Sequence, residues 1–195
     1  TKLENIGEYA FNACSSLKSI IIPQCTIELG AYAFNKCSAL ESVKISDSVK
    51  NIGEFTFSYC SSLSSLTIGN NVRSIGLRAF EKCSALKTIA LPDSIESIGA
   101  FAFDSCISLS RVTGGNGVNN IGGFAFFECR SLLSVAMGNS IKSIGDLAFS
   151  NCTALTSISY GGTMEQWGEV TKGDLWDGAS LNYTVHCSDG DIAKG

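Results

Sequence analysis

The chain has 195 residues, a formal net charge of −4 at pH 7, 45% hydrophobic residues and nine cysteines. Mild acidity without a basic stripe speaks against a nucleic-acid partner. No run of about 18 apolar residues occurs, so no segment reads as a membrane-spanning helix.

From the N-terminus, the first elements are a bend at Ile6-Gly7, a segment Ala10-Phe11-x-x-Cys14, then Leu17 and the alternating pair Ile20 and Ile22. The series returns every 23 residues. Cysteine stands at Cys14, Cys37, Cys60, Cys83, Cys106, Cys129 and Cys152, and phenylalanine three residues before each. A period in this range means a solenoid, in which each unit buries its apolar face only against its neighbours. The alternation after each leucine is that of a short strand with one face buried, and in-register stacking gives a parallel sheet. The A-F-x-x-C spacing fits one face of a single helical or 3₁₀ turn. The glycine before it suits either a positive φ or a close backbone approach. The predicted fold is α/β: a solenoid with parallel strands on one side and short helical or 3₁₀ turns on the other. Seven 23-residue repeats are expected over residues 1–160 and a C-terminal cap over 161–195. In the cap Trp167 covers the last coil and Tyr183 to Cys187 forms a short strand.

Two segments carry a family resemblance: Ile98-Gly99-Ala100-Phe101-Ala102-Phe103-Asp104-Ser105-Cys106 and Leu86-Lys87-Thr88-Ile89-Ala90-Leu91-Pro92-Asp93-Ser94-Ile95. They resemble the BspA-like leucine-rich repeats of bacterial surface proteins over roughly residues 3 to 160. The resemblance implies that the strands lie on the concave, ligand-facing side. It implies a place at the surface of anaerobic bacteria and binding of host matrix proteins or other bacterial surface proteins. Thr1 opens mid-pattern, so the chain reads as a fragment or processed product of a longer protein.

Stacked cysteines project in parallel about 5 Å apart, too far for a disulfide, whose Cβ atoms lie at about 3.8 Å. The ladder therefore reads as buried, reduced thiols, with Cys25 and Cys187 standing outside it. The single histidine, His186, has Cys187 on the opposite strand face, which leaves no catalytic arrangement around it. No C-x-x-C pair, zinc spacing or phosphate loop is present. The expectation is a monomer that is not an enzyme, with no metal and no cofactor.

Two repeating surfaces remain. The outward strand positions include Ser19, Ser42, Lys44, Ser65, Thr67, Thr88, Arg111, Thr113, Ser134 and Ser157. They form a hydroxyl-rich face on which Lys44 and Arg111 are the only charges, and they are the candidate protein-binding residues. The second surface is the column Tyr9, Tyr32, Phe55, Arg78, Phe101, Phe124 and Leu147. It is either an exposed apolar stripe for a partner or a set of side chains tucked between coils. Alternatives to protein binding are a structural spacer and glycan binding through Trp167, Trp176 or the tyrosines.

Overall fold

The computed structural model describes residues 3–178 and 182–194. The chain winds as a parallel-strand solenoid of about eight turns. Two-residue strands build one wall: β1 (Asn5–Ile6), β3 (Glu28–Leu29), β5 (Asn51–Ile52), β7 (Ser74–Ile75), β9 (Ser97–Ile98), β11 (Asn120–Ile121), β13 (Ser143–Ile144) and β15 (Thr171–Lys172) pair in that order. The second wall holds the longer strands: β2 (Ser19–Ile21), β4 (Ser42–Lys44), β6 (Ser65–Thr67), β8 (Thr88–Leu91), β10 (Arg111–Gly114), β12 (Ser134–Met137), β14 (Ser157–Tyr160) and β16 (Tyr183–Cys187). An antiparallel strand, β17 (Gly190–Lys194), closes this wall on β16. The repeat sets the register. Ile20 faces Val43 and Val112 faces Val135, so inward aliphatics stack on inward aliphatics.

The Ala-Phe-x-x-Cys segments are not helical, which corrects the expectation of helical or 3₁₀ turns on the far side. Each carries two residues in the left-handed region, as at Tyr32 (φ 57°) and Lys36 (φ 60°). Its amides alternate in direction. Those of Tyr32, Phe34 and Lys36 donate to Glu54, Thr56 and Ser58 in the next coil at 2.8–2.9 Å. Those of Ala33, Asn35 and Cys37 close tight turns onto Gly30, Tyr32 and Phe34. A helix would direct every amide along its own axis. Here every second amide is turned outward to hold the neighbouring coil, and left-handed residues at the third turn position make that reversal possible. Among the described residues the only α-helix is α1 (Met164–Glu169), started by a capping box between Thr163 and Gln166.

The regular spacing of glycine has a single cause. Gly30, Gly53, Gly76, Gly99, Gly122 and Gly145 all keep ordinary negative φ, so conformational freedom is not what they supply. They stack on one another: a Cβ on Gly99 would lie 2.7 Å from the carbonyl carbon of Gly76. Close approach, the second of the two reasons expected, is the one that operates.

The core runs the length of the winding. Phe34, Phe57, Phe80, Phe103, Phe126 and Phe149 are at most 1% exposed. Their rings stack 5.1–5.4 Å apart from coil to coil. Among the described residues no coil packs on the outer side of the first, and Phe11 and Cys14 are exposed there. At the other end α1 lengthens the path and Gly173 to Asp177 retraces the turn of Gly145 to Phe149. The Gly173 amide bonds Ile144, Phe149 bonds Trp176, and Leu175 repeats the left-handed φ of Leu147. Trp176 sets its ring edge-on against Phe149 at 6.1 Å, and Trp167 packs on Tyr160 at 5.1 Å.

Candidate binding surface

The second wall points its alternate side chains outward. Ser19, Lys44, Ser65, Thr67, Thr88, Arg111 and Thr113 are exposed, and Ser42, Ser134 and Ser157 are half-buried. Register places them in rows: Ser19 beside Ser42 beside Ser65, and Thr88 beside Arg111 beside Ser134 beside Ser157. The ten candidate residues nevertheless fall into two groups. The sheet β2-β4-β6 ends at β6, and a separate sheet begins at β8. Ser19, Ser42, Lys44, Ser65 and Thr67 stand on one side of this break, the other five on the far side.

The break was missed in reading the sequence, although it has a signal there. Gly115 donates its amide to Leu91 at 2.8 Å, and Gly161 to Met137 at 2.9 Å. The equivalent position in the fourth coil is Pro92, which has no amide to offer Ile68. Proline in a sheet belongs at an edge, and Pro92 stands at this one, although Ser46 and Gly69 make no such bond to Ile22 and Ile45 while β2, β4 and β6 stay paired. The rung that joins Ser110 to Lys87 and Leu133 to Ser110 is likewise missing between Lys87 and Ser64. A cleft of about 440 Å³ opens there, lined among others by Leu66, Ile68, Asn70, Leu91, Pro92 and Asp93.

The aromatic column is tucked between coils. Tyr32, Phe55, Phe101 and Phe124 are half-buried and stack in pairs at 4.5 and 4.6 Å. Arg78 takes an aromatic's place, its guanidinium 4.3 Å from the Phe101 ring centre and 5.8 Å from that of Phe55. The Arg78 guanidinium also donates to Glu81 at 2.7 Å, and Ser58 donates to the same buried carboxylate at 3.0 Å. The column is thus a coil-to-coil clamp in which only Tyr9, in the first described coil, is exposed.

The ladder thiols are free and, from Cys37 onward, buried. Burial pushes the Cys60 and Cys152 thiols up to about 12 and raises Cys83, Cys106 and Cys129 as well. Such thiols are poor nucleophiles and poor metal ligands. His186 is exposed and meets Asp191 at 2.9 Å across the terminal hairpin. Trp167 is buried, with the Lys172 ammonium 4.6 Å above its ring, so it offers no face to a sugar. Among the described residues no three His, Cys, Asp or Glu side chains gather where they could hold a metal ion. No described helix is long and apolar enough to cross a membrane.

These features define a leucine-rich-repeat type of β-solenoid, a class that generally mediates protein interactions and is typically non-enzymatic. Six copies of the BspA type leucine-rich repeat region match residues 1–96 and 74–171, and the chain belongs to that family. It is similar to the crystal structure of a leucine-rich repeat protein from T. pallidum, with 28% identity and a TM-score of 0.75 over 87% of this chain and 77% of that one. It is also similar to a leucine-rich repeat protein from Bacteroides ovatus, with 27% identity and a TM-score of 0.61 over 94% of this chain and 59% of that one. No curated protein matches the chain.

Proposed function

We propose that the chain is a non-enzymatic recognition module of a bacterial cell-surface protein, and that the outward face of the second wall binds host matrix proteins or other bacterial surface proteins. The observation that carries this reading is the wall itself. It presents rows of mostly small side chains, fixed by parallel register, with Lys44 and Arg111 the only charges among the outward positions of β2 to β14. Small side chains on a rigid sheet lose little entropy on binding, which suits them to close contact with a protein surface. Family membership supports the surface location and the interaction role. The segment from Gly161 fits a cap on this module, because Trp167 and Trp176 cover the last coil and β17 pairs the wall's final parallel strand.

The test is capture of immobilised matrix and bacterial surface proteins by the native chain and by a Lys44→Ala/Arg111→Ala double variant. Binding that weakens in the double variant supports the reading. Absence of any binder would leave a spacer as the role, and binding confined to a glycan array would replace protein with carbohydrate.

A further inference from the structure

We infer that the break between β6 and β8 is a peptide-binding cleft, which takes an extended polypeptide segment as an added strand. The inference rests on the reading of the second wall as the binding face, and it names the chemistry of the partner.

The two coils that flank the break remain joined everywhere else. β5 pairs with β7, the Phe57 and Phe80 rings stack at 5.4 Å, and the Cys83 thiol reaches the Phe57 carbonyl. Only the exposed wall opens. Its two lips are strand edges facing one another, β6 as the last strand of one sheet and β8 as the first of the next. A strand edge carries a row of backbone donors and acceptors that an extended chain satisfies and a compact ligand does not. Addition of a peptide strand to such an edge is a recurrent mode of recognition, in which main-chain bonds give affinity and pockets for alternate side chains give specificity. The floor of this cleft provides those pockets. Leu66 is half-buried, whereas its counterparts Val43 and Ile89 are at most 2% exposed. Ile68 and Leu91 line the cleft beside it. The fitting partner is therefore an extended segment with an aliphatic residue at every second position and small polar residues between.

The probe is a dye-labelled synthetic peptide copying residues 64–69, Ser-Ser-Leu-Thr-Ile-Gly, in which Leu66 and Ile68 alternate with Ser65 and Thr67. Its binding to the full chain is followed by fluorescence anisotropy and by hydrogen exchange. The expected result is saturable binding, with slowed exchange at the Leu66 and Ala90 amides. Methylation of alternate backbone nitrogens in the peptide should abolish binding, because it removes the donors and leaves the side chains. Leu66→Asp puts a charge on the floor of the cleft, so it should weaken binding at least about tenfold. Lys44→Ala/Arg111→Ala should lose captured proteins yet keep the peptide, which separates failure of the cleft from failure of the wider face. No binding below about 1 mM, equal affinity in Leu66→Asp, retained binding of the methylated peptide, or slow exchange of Leu66 and Ala90 in the free chain would each overturn the inference. So would dimers of the chain itself that protect the same two amides.

Discussion

The thiol of Cys83 donates to the carbonyl oxygen of Phe57 in the preceding coil, 3.3 Å away. Cys37, Cys60, Cys106, Cys129 and Cys152 make the same bond to Phe11, Phe34, Phe80, Phe103 and Phe126. The Phe57 carbonyl already accepts the Cys60 amide within its own coil at 3.2 Å, so the thiol takes the second lone pair. This explains why cysteine, and not alanine or valine, holds the position. It is small enough for the stack, apolar enough for the core, and still a weak donor.

The same burial makes stability fall at high pH. An ordinary thiol ionises near 9.0, whereas Cys60 and Cys152 are held up to about 12. Between these values the unfolded chain gives up protons that the folded chain keeps. The stabilisation is therefore complete below pH 9 and is lost as pH rises toward 12, at up to about 1.4 kcal/mol per pH unit for each thiol. Urea midpoints measured at pH 7.5, 9 and 10.5 in a reducing buffer should drop over the upper interval. Cys60→Ala should lower the midpoint at pH 7.5 and make the drop shallower.

The glycine stack predicts a pair of opposite outcomes. In Gly99→Ala the new methyl would meet the Gly76 carbonyl carbon at 2.7 Å and the Leu77 amide nitrogen at 2.8 Å, and neither can move without parting two coils. The cost should be about 1–3 kcal/mol or more, as for overpacking in a core. Gly7 has the same place in the repeat, and among the described residues nothing lies within 4 Å of its added Cβ. Gly7→Ala should be nearly neutral. Equal losses in denaturant titrations of the two variants would show that backbone conformation, not close approach, selects glycine.

Truncation of the phenylalanine stack should depend on position in the same manner. Phe80 is fully buried between Phe57 and Phe103, and Phe80→Ala should cost about 3–5 kcal/mol. Phe11 stacks on Phe34 alone and is 39% exposed. Phe11→Ala should cost well under half as much, read from urea midpoints at constant slope.

Period and alternation made most of this fold legible. The cysteine interval fixed the register that Val43 and Leu66 keep with their neighbours, and the alternation at Ile20 and Ile22 marked the wall. Two features were read wrongly or missed because they arise between coils. Apolar residues at i, i+1 and i+4, as in Ala33, Phe34 and Cys37, suit one helical face. They suit equally a chain of turns whose alternate amides leave the segment, and no single coil can distinguish the two. Pro92 was visible, but the break beside it lies in the pairing of β6 with β8, which no single coil shows. Alternation put Ser19 to Ser157 on the outer face, whereas the division of Ser19 to Thr67 from Thr88 to Ser157 lies in the missing pairing between β6 and β8.

Lys36 distinguishes those two backbones by experiment. It is exposed, sits at φ 60°, and donates its amide to Ser58 in the next coil at 2.8 Å. In the left-handed region a β-branched side chain clashes with its own backbone, so Lys36→Val should cost about 1–2 kcal/mol. Lys36→Gly should be neutral or slightly stabilising, since release of that strain offsets the added freedom of the unfolded chain. In a helical turn the order would reverse, with glycine the worse residue by a few tenths of a kcal/mol. Thermal melts of the two variants read the order directly, because about 1 kcal/mol shifts the midpoint of a chain this size by roughly 2–4 °C. A lower midpoint for glycine than for valine would contradict the left-handed turn.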